Sequence, residues 1–142
     1  MPDTALNANA LIEEARRWIG VRWRHQGRDF EHGVDCAGLL ICVAARLGLG
    51  LVDRRAYGRR QSGALLMQDL HEQLKYISVS YYNNGDIGVF SEKGYPVHLG
   101  FLVTSKGQCS VIHAHARRRQ VVEEALDQTG SPVAVFRLPE GC

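Results

Sequence analysis

In the first half of the chain, hydrophobic and polar positions recur with the period of an α-helix. This pattern predicts a first helix from about residue 7 to residue 19, and a second, with a strongly apolar and therefore central face, from about residue 35 to residue 47. A third helix is predicted from residue 62 to about residue 74, with Ser62 as its N-cap. The glycine- and charge-rich residues 21–33, between the first two helices, predict a loop.

After Tyr76 the period changes to the alternation that is typical of β-strands, beginning with residues 77–81. A strong turn signal at residues 83–86 precedes strand-like segments at residues 87–90, 97–104, 109–115, 120–125 and 133–138. Residues 121–126 also fit a helix. Since no helical crossovers separate the strands, the pattern predicts an α+β fold, with N-terminal helices packed on a C-terminal antiparallel sheet of about five strands.

The length and composition fit a single domain over residues 1–142. A chain of 142 residues that is 45% hydrophobic can build one packed core. The net charge of +2 is too weak to indicate a nucleic-acid partner, and no nucleic-acid motif accompanies the arginine clusters. No apolar stretch approaches the roughly 20 residues of a membrane span. The N-terminus lacks the pattern of a secretory signal, so we expect a protein made in the cytoplasm.

Among the four cysteines, Cys36 is the one placed for chemistry. It stands where the loop becomes the second helix, and the unpaired backbone N–H groups of a helix's first turn favour thiolate over thiol. We therefore expect its pKa to lie below the ordinary value of about 8.5. The alternative is a small buried core residue, which is the commoner fate of an isolated cysteine. The even number of cysteines is poor evidence for disulfides at this chain length, so reduced thiols are expected.

Two histidines on predicted strands supply the partners that a thiol nucleophile needs, and they favour the catalytic interpretation of Cys36. His98 begins a strand-like segment, so a helix N-terminus packed against that end of the strand would bring Cys36 close to it. His98 could then take the thiol proton as a general base. By alternation, His113 and His115 share one face of their strand, and His113 could hold the far nitrogen of His98.

A metal site is the alternative for Cys109, His113 and His115, because thiolate and imidazole are zinc ligands. Structural zinc sites usually combine two close pairs of ligands, and no second pair is visible in the sequence. We therefore predict neither a metal nor a cofactor.

Four groups of residues occur in an order that is typical of one family. They are ARRWIGVRWRHQG at residues 15–27, GVDCAGLL at 33–40, NGDIGVF at 84–90 leading to HLGFL at 98–102, and VIHA at 111–114 followed by VVE at 121–123. With this ordered set the sequence resembles the NlpC-type cysteine peptidases, a papain-like family that cuts peptide cross-links and stems in bacterial cell walls. The likeness is greatest to the branch that phages, prophages and gene transfer agents encode.

The resemblance implies three catalytic residues: Cys36 as nucleophile, His98 as general base and His113 as the polar third residue. It also implies that the cysteine lies on a helix packed against an antiparallel sheet. No cofactor or metal belongs to this chemistry.

Two further residues become candidates for oxyanion or substrate binding. Trp23 stands where the family often has tyrosine, and its indole N–H retains one donor for an oxyanion. The family often has serine directly after the nucleophile, in a position that in some members helps to bind a substrate amine. Here that residue is Ala37, so Asp35 alone is left to attract an amine.

The implied activity is that of a thiol hydrolase that cleaves an amide or peptide bond in bacterial peptidoglycan. It would act as part of a phage-like tail or gene transfer agent, so the expected partners are a peptidoglycan peptide and phage-like tail proteins, and the expected location is a virion or phage-like particle. One alternative is a tail-assembly or tail-tip structural protein with little catalysis, which Trp23 and Ala37 favour. Another is an intracellular amidase or acyltransferase that uses the same residues on a small peptide or acyl substrate.

Overall fold

The structure is a computed structural model that describes residues 8–53, 63–92, 95–105 and 107–139. Its helices are α1 (Ala8–Arg17), α2 (Cys36–Arg46), α3 (Gly63–Gln73) and α4 (Leu126–Thr129). The first three lie where the helical periodicity predicted them. Ser62, the predicted N-cap of the third helix, lies outside the described residues. In the described part of the chain, no helix has the length and apolar character that crossing a membrane requires.

The sheet confirms the predicted α+β architecture. Its strands are β1 (Arg28–Asp29), β2 (Gly33–Val34), β3 (Lys75–Ile77), β4 (Ile87–Glu92), β5 (Tyr95–Ser105), β6 (Gln108–His115), β7 (Gln120–Ala125) and β8 (Ala134–Arg137). Strands β1 and β2 form a short hairpin of their own, and the other six form one antiparallel sheet in the order β3-β8-β4-β5-β6-β7. The N-terminal helices therefore precede a C-terminal antiparallel sheet, as the sequence predicts.

Four details differ from the expectation. The alternating residues 77–81 do not form a strand, because β3 ends at Ile77 and a turn follows, in which the backbone N–H of Tyr81 donates to the carbonyl oxygen of Ser78 at 3.1 Å. The main sheet has six strands rather than about five, because the short strand β3 pairs with β8 at its edge. The segment predicted as a loop, residues 21–33, contains β1 and the start of β2. Residues 120–125 form a strand because the neighbouring strand β6 supplies their backbone hydrogen bonds, so the helical alternative is wrong there, and helix begins only at Leu126.

The two faces of the sheet bury different sets of side chains. The helices cover one face, where the main core includes Leu11, Leu39, Val43, Leu70, Val89, Leu99, Phe101, Ile112, Val121 and Phe136. The other face carries a smaller buried cluster of Phe90, Leu102, Val111 and Val135. Full burial of one such side chain stabilises a fold by about 1.5–3 kcal/mol. Polar side chains on this second face therefore lie next to the apolar side chains of the smaller cluster rather than in bulk water.

Close backbone packing fixes the start of α2. A Cβ atom at Gly38 would lie 2.0 Å from the carbonyl oxygen of Gly27, and one at Gly27 would lie 2.3 Å from the carbonyl oxygen of Gly33. Gly33 also has a φ of +124°, a conformation that favours glycine. The loop before the helix is therefore held directly against its first turn, which leaves Cys36 little positional freedom.

Candidate active site

Cys36 is the first residue of α2, so its predicted place at a helix N-terminus is confirmed. The residue before it, Asp35, is the N-cap. One oxygen of its carboxylate, Oδ1, accepts a hydrogen bond from the backbone N–H of Gly38 at 2.8 Å, and Oδ2 accepts one from the backbone N–H of Gln26, also at 2.8 Å. Loss of such a cap typically costs about 1 kcal/mol. Asp35 thereby ties the preceding loop to the helix that carries the thiol.

The charge of Asp35 is held inside the protein. The side chain is buried, and Nη1 of Arg28 donates to its Oδ1 at 3.1 Å. The same guanidinium reaches the carboxylate of Asp53 through Nε at 2.9 Å and 3.0 Å. A substrate amine would have to share the Asp35 oxygens with these donors. The amine-binding role of Asp35 stays a prediction.

The thiol of Cys36 lies against strand β5. The backbone N–H of Leu99 donates a hydrogen bond to the sulfur, and Leu99 directly follows His98 in the chain. The side chain of Leu99 belongs to the same core cluster as Cys36. The nucleophile-bearing helix therefore meets the sheet beside the residue that the sequence predicts as its base.

The protonation state of Cys36 differs from the expectation. The residue is only 7% exposed, and this burial, together with the charge of Asp35, raises the pKa of the thiol to about 12. Backbone N–H groups of Leu99, Ala37 and Cys36 itself lower the pKa but do not outweigh the burial. The expectation of a lowered pKa is therefore wrong, because desolvation is a larger effect here than the helix N-terminus. At neutral pH Cys36 is a thiol.

His98 and His113 are brought together as predicted. Nε2 of His98 and Nδ1 of His113 lie 2.5 Å apart. The ring of His113 is completely buried, whereas His98 is half-buried. A glycine permits this approach: a Cβ atom at Gly100 would lie 2.8 Å from Cβ of His113 and 2.6 Å from Cγ2 of Val111. The contact uses the far nitrogen of His98 and leaves Nδ1 for a second partner.

Both histidines are neutral at neutral pH. Burial lowers the pKa of His98 well below its ordinary value, and the nearby His113 and His115 act in the same direction. Burial also lowers the pKa of His113, although its hydrogen bond with Glu124 opposes the shift. A neutral imidazole at His98 can accept a proton, which is what a general base must do.

Glu124 is a partner that the sequence did not reveal. Its Oε1 lies 2.8 Å from Nε2 of His113, and its Oε2 accepts a hydrogen bond from Nη2 of Arg118 at 3.0 Å. The register of β6 and β7 places it there, since Val111 is opposite Glu124 and His113 is opposite Val122. The alternation of β7 alone allows Glu124 to lie on the same face of the sheet as His113. Only the register between β6 and β7 identifies Glu124 as the neighbour of His113.

His115 completes a cluster of three imidazoles. Its ring centroid lies 5.1 Å from that of His113 and 5.4 Å from that of His98, which confirms that His113 and His115 share one face. Its Nδ1 accepts backbone hydrogen bonds from Arg117 at 3.0 Å and from Arg118 at 3.3 Å. Within the described ranges, no three His, Cys, Asp or Glu side chains are arranged to hold a metal ion.

Trp23 lies beside the segment that leads to the nucleophile. Its side chain is half-buried against the main core, and its backbone forms an isolated bridge with Val34, two residues before Cys36. Its backbone N–H donates to the carbonyl oxygen of Arg119 at 2.9 Å. The bridge places Trp23 beside the segment that leads to the candidate nucleophile, and the use of the indole N–H as an oxyanion donor stays a prediction.

The order in which thiols are alkylated tests the protonation state of Cys36. At neutral pH we expect iodoacetamide to label Cys109 before Cys36, because Cys109 is exposed and Cys36 is buried with a raised pKa. Mass spectrometry of partly alkylated protein would give the order. Faster labelling of Cys36 would show that its thiolate is populated and accessible, against the effect of burial described above.

Solved structures share this fold, and two of the three described next are NlpC/p60 proteins or domains. The chain is similar to the NlpC/p60 domain of the peptidoglycan hydrolase SagA, with a TM-score of 0.70 and 22% identity, over 94% of this chain and 100% of that one. An NlpC/p60 family protein from Bacillus cereus matches with a TM-score of 0.73 and 19% identity, over 96% of this chain and 42% of that one. The peptidoglycan hydrolase RipB from Mycobacterium tuberculosis matches with a TM-score of 0.65 and 20% identity, over 94% of this chain and 65% of that one.

At these identities the likeness establishes the fold, which is the papain-like fold of NlpC/p60 domains. The neighbours support the resemblance that the sequence motifs indicate. The chain spans only 42% of the Bacillus cereus protein, so it corresponds to one part of that longer relative. Neither a protein-family model nor a curated protein matches the sequence.

Proposed function

We propose that this protein is a thiol hydrolase that cleaves an amide bond in bacterial peptidoglycan. The observation that carries the proposal is the arrangement around β5: the sulfur of Cys36 is hydrogen-bonded to the backbone next to His98, and the far nitrogen of His98 is held by His113. A nucleophile, a base and an orienting group thus lie on adjoining elements, in a fold that known peptidoglycan hydrolases share.

In the proposed reaction, the sulfur of Cys36 attacks the carbonyl carbon of the substrate amide, and His98 takes the thiol proton. The electron pair of the carbonyl bond moves to oxygen and returns as the C–N bond breaks, and the leaving nitrogen takes the proton from His98. Water then attacks the resulting thioester in the same way, giving a carboxylic acid and returning the proton to the sulfur. Because Cys36 and His98 are both neutral at rest, the proton moves during the attack rather than before it.

The negative oxygen of the tetrahedral intermediates needs hydrogen-bond donors. We assign one donor to the backbone N–H of Cys36 at the start of α2 and a second to the indole N–H of Trp23. Trp23 approaches the chain next to this helix N-terminus through its bridge to Val34. Loss of one oxyanion donor typically costs on the order of 100-fold in turnover.

For the setting of this reaction we propose a phage-like tail or gene transfer agent, with the protein incorporated in the particle. The support is the ordered set of sequence motifs, above all GVDCAGLL at residues 33–40 and HLGFL at residues 98–102. In this setting the partners would be a peptidoglycan peptide and phage-like tail proteins. Copurification of the protein with intact particles from a lysate would support the setting, and its complete absence from them would contradict it.

Incubation with purified peptidoglycan tests the activity itself. We expect the protein, alone or in its particle, to release fragments with one new amine and one new carboxylate, detectable by chromatography and mass spectrometry. In water enriched in ¹⁸O, the new carboxylate should carry the label, since water resolves the thioester. Cleavage only of small peptide amides unrelated to the cell wall would favour an intracellular amidase, and transfer to an added amine would favour an acyltransferase.

A protein that keeps the fold with little catalysis is the second candidate. The observation that favours it is the burial of Cys36, which raises the pKa of the thiol and limits access to it. The presence of Trp23 and Ala37 in place of the family's common tyrosine and serine points in the same direction. Such a tail-assembly or tail-tip protein would leave peptidoglycan uncut in the experiment above.

A further inference from the structure

We propose that Glu124 is a positioning residue of this site, which acts through His113 to make Nδ1 of His98 the nitrogen that takes the thiol proton. The inference rests on the function proposed above, and it adds a residue that the motifs do not contain. Its basis is a continuous chain of hydrogen bonds from the carboxylate of Glu124 through two imidazole rings, which we call the histidine–glutamate chain.

The carboxylate end of this chain is ionised and held in place. Burial alone would raise the pKa of Glu124, but its hydrogen bond with His113 and the charge of Arg118 hold the pKa below its ordinary value. Arg118 donates to Oε2 at 3.0 Å, so Oε1 is left for His113 at 2.8 Å. Only 14% of the Glu124 side chain is exposed. Water therefore competes little for this contact.

The proton positions follow from the partners. An ionised carboxylate can only accept, so Nε2 of His113 must carry a hydrogen. A neutral imidazole has a single N–H, so Nδ1 of His113 is an acceptor, and Nε2 of His98, 2.5 Å away, must donate to it. The remaining nitrogen of His98, Nδ1, then has a free lone pair. One carboxylate thus selects the tautomer of both rings, and the selected tautomer of His98 is the one that acts as a base.

The same carboxylate stabilises the charge that the reaction creates. When His98 takes the proton its ring becomes positive, and the opposite charge of Glu124 lies one imidazole ring away. An opposite charge close to a titrating group typically shifts its pKa by about 1–3 units toward the charged form. The other groups around the pair, His115 and Arg118, are neutral or positive and do not supply this stabilisation. At His113, Glu124 already opposes the lowering of the pKa by burial.

Nitrogen NMR of the histidine side chains tests the tautomers without any substrate. In the intact protein near neutral pH we expect Nε2 of His98 and Nε2 of His113 to be protonated, and both Nδ1 atoms to be unprotonated. In Glu124→Gln the side chain keeps its length but its amide can donate as well as accept, so His113 should show a mixture of tautomers. A hydrogen on Nδ1 of His113 in the wild-type protein would overturn the proposal.

Kinetics of the same variant test the consequence for the reaction. For Glu124→Gln we expect kcat on peptidoglycan fragments to fall on the order of 10-fold with KM unchanged, because the base is weakened and substrate contacts are not. The acid limb of the pH profile should move down by about one pH unit, since a base without the nearby negative charge is protonated only at lower pH. An unchanged pH profile would count against the proposal.

Glu123→Gln is the matched control. Glu123 is the adjacent residue of β7, and the substitution removes a comparable ion pair, because Arg16 contacts the two oxygens of Glu123 at 2.9 Å each. Glu123 accepts a hydrogen bond from the hydroxyl of Ser110 at 2.8 Å and is not a member of the histidine–glutamate chain. It should leave the tautomers and the pH profile unchanged. If the wild-type protein shows the expected tautomers but does not cleave peptidoglycan, the proposed function fails and the histidine–glutamate chain stands.

Discussion

Replacement of Cys36 with alanine should abolish cleavage of peptidoglycan fragments while the protein stays folded. In the proposed reaction the thiol is the protein group that forms a covalent bond to the substrate, so its removal leaves binding and oxyanion contacts without a nucleophile. We expect turnover to fall by at least about 10⁴-fold. The packing loss is small, since only one sulfur atom leaves the core and the cap and loop contacts of Asp35 are retained. Circular dichroism and thermal unfolding would verify the fold beside the assay.

The matched control is Cys42→Ala, which makes the same chemical change on the same helix. Cys42 is half-buried, and its thiol donates a hydrogen bond to the carbonyl oxygen of Arg28 at 3.4 Å, so it contributes to packing rather than to the proposed reaction. This variant should keep most of the wild-type turnover. If Cys36→Ala were as active as the wild-type protein, the hydrolase assignment would be wrong and the structural role would be favoured.

Most of the fold could be predicted from local signals, because its longer helices and strands each carry one. Three helices follow from the spacing of apolar residues, and the sheet follows from alternation between turn residues. The short elements could not be predicted. Strand β3 has three residues and each strand of the β1–β2 hairpin has two, so their formation depends on pairing with another strand. Residues 120–125 show the same limit, because their pattern fits helix or strand until β6 supplies a pairing edge.

Site residues could be predicted where a reactive side chain stands at a recognisable place in a predicted helix or strand. Cys36 at a loop-to-helix transition and His113 on a strand face could both be predicted in this way, and the structure confirms the helix N-terminus and the contact between His98 and His113. The protonation of Cys36 could not be predicted, because burial by distant parts of the chain outweighs the local effect of the helix. Glu124 was missed for a related reason: its role depends on strand register, which no local pattern encodes.

Replacement of His98 with alanine should be nearly as damaging as replacement of Cys36. Cys36 has a pKa of about 12, so at neutral pH it is a weak nucleophile unless a base takes its proton during the attack. Without the imidazole, neither the attack nor the protonation of the leaving nitrogen has a catalyst. We expect a loss of turnover within about 10-fold of that for Cys36→Ala, and little further loss in the double variant, because residues that act as a unit are not additive.

Alanine variants of two other histidines provide the comparison for the turnover of His98→Ala. His113→Ala should be milder than His98→Ala, because water can partly replace an orienting group, whereas nothing replaces the base. His71→Ala is the control, since His71 is exposed on α3 and its ring packs against Tyr76 and Phe136, away from the three clustered imidazoles. Turnover by each variant should be measured on the same fragments at several pH values. If His98→Ala retains more than about a tenth of the wild-type turnover, a group other than His98 takes the thiol proton, since a positioned general base contributes typically 10²–10⁴-fold.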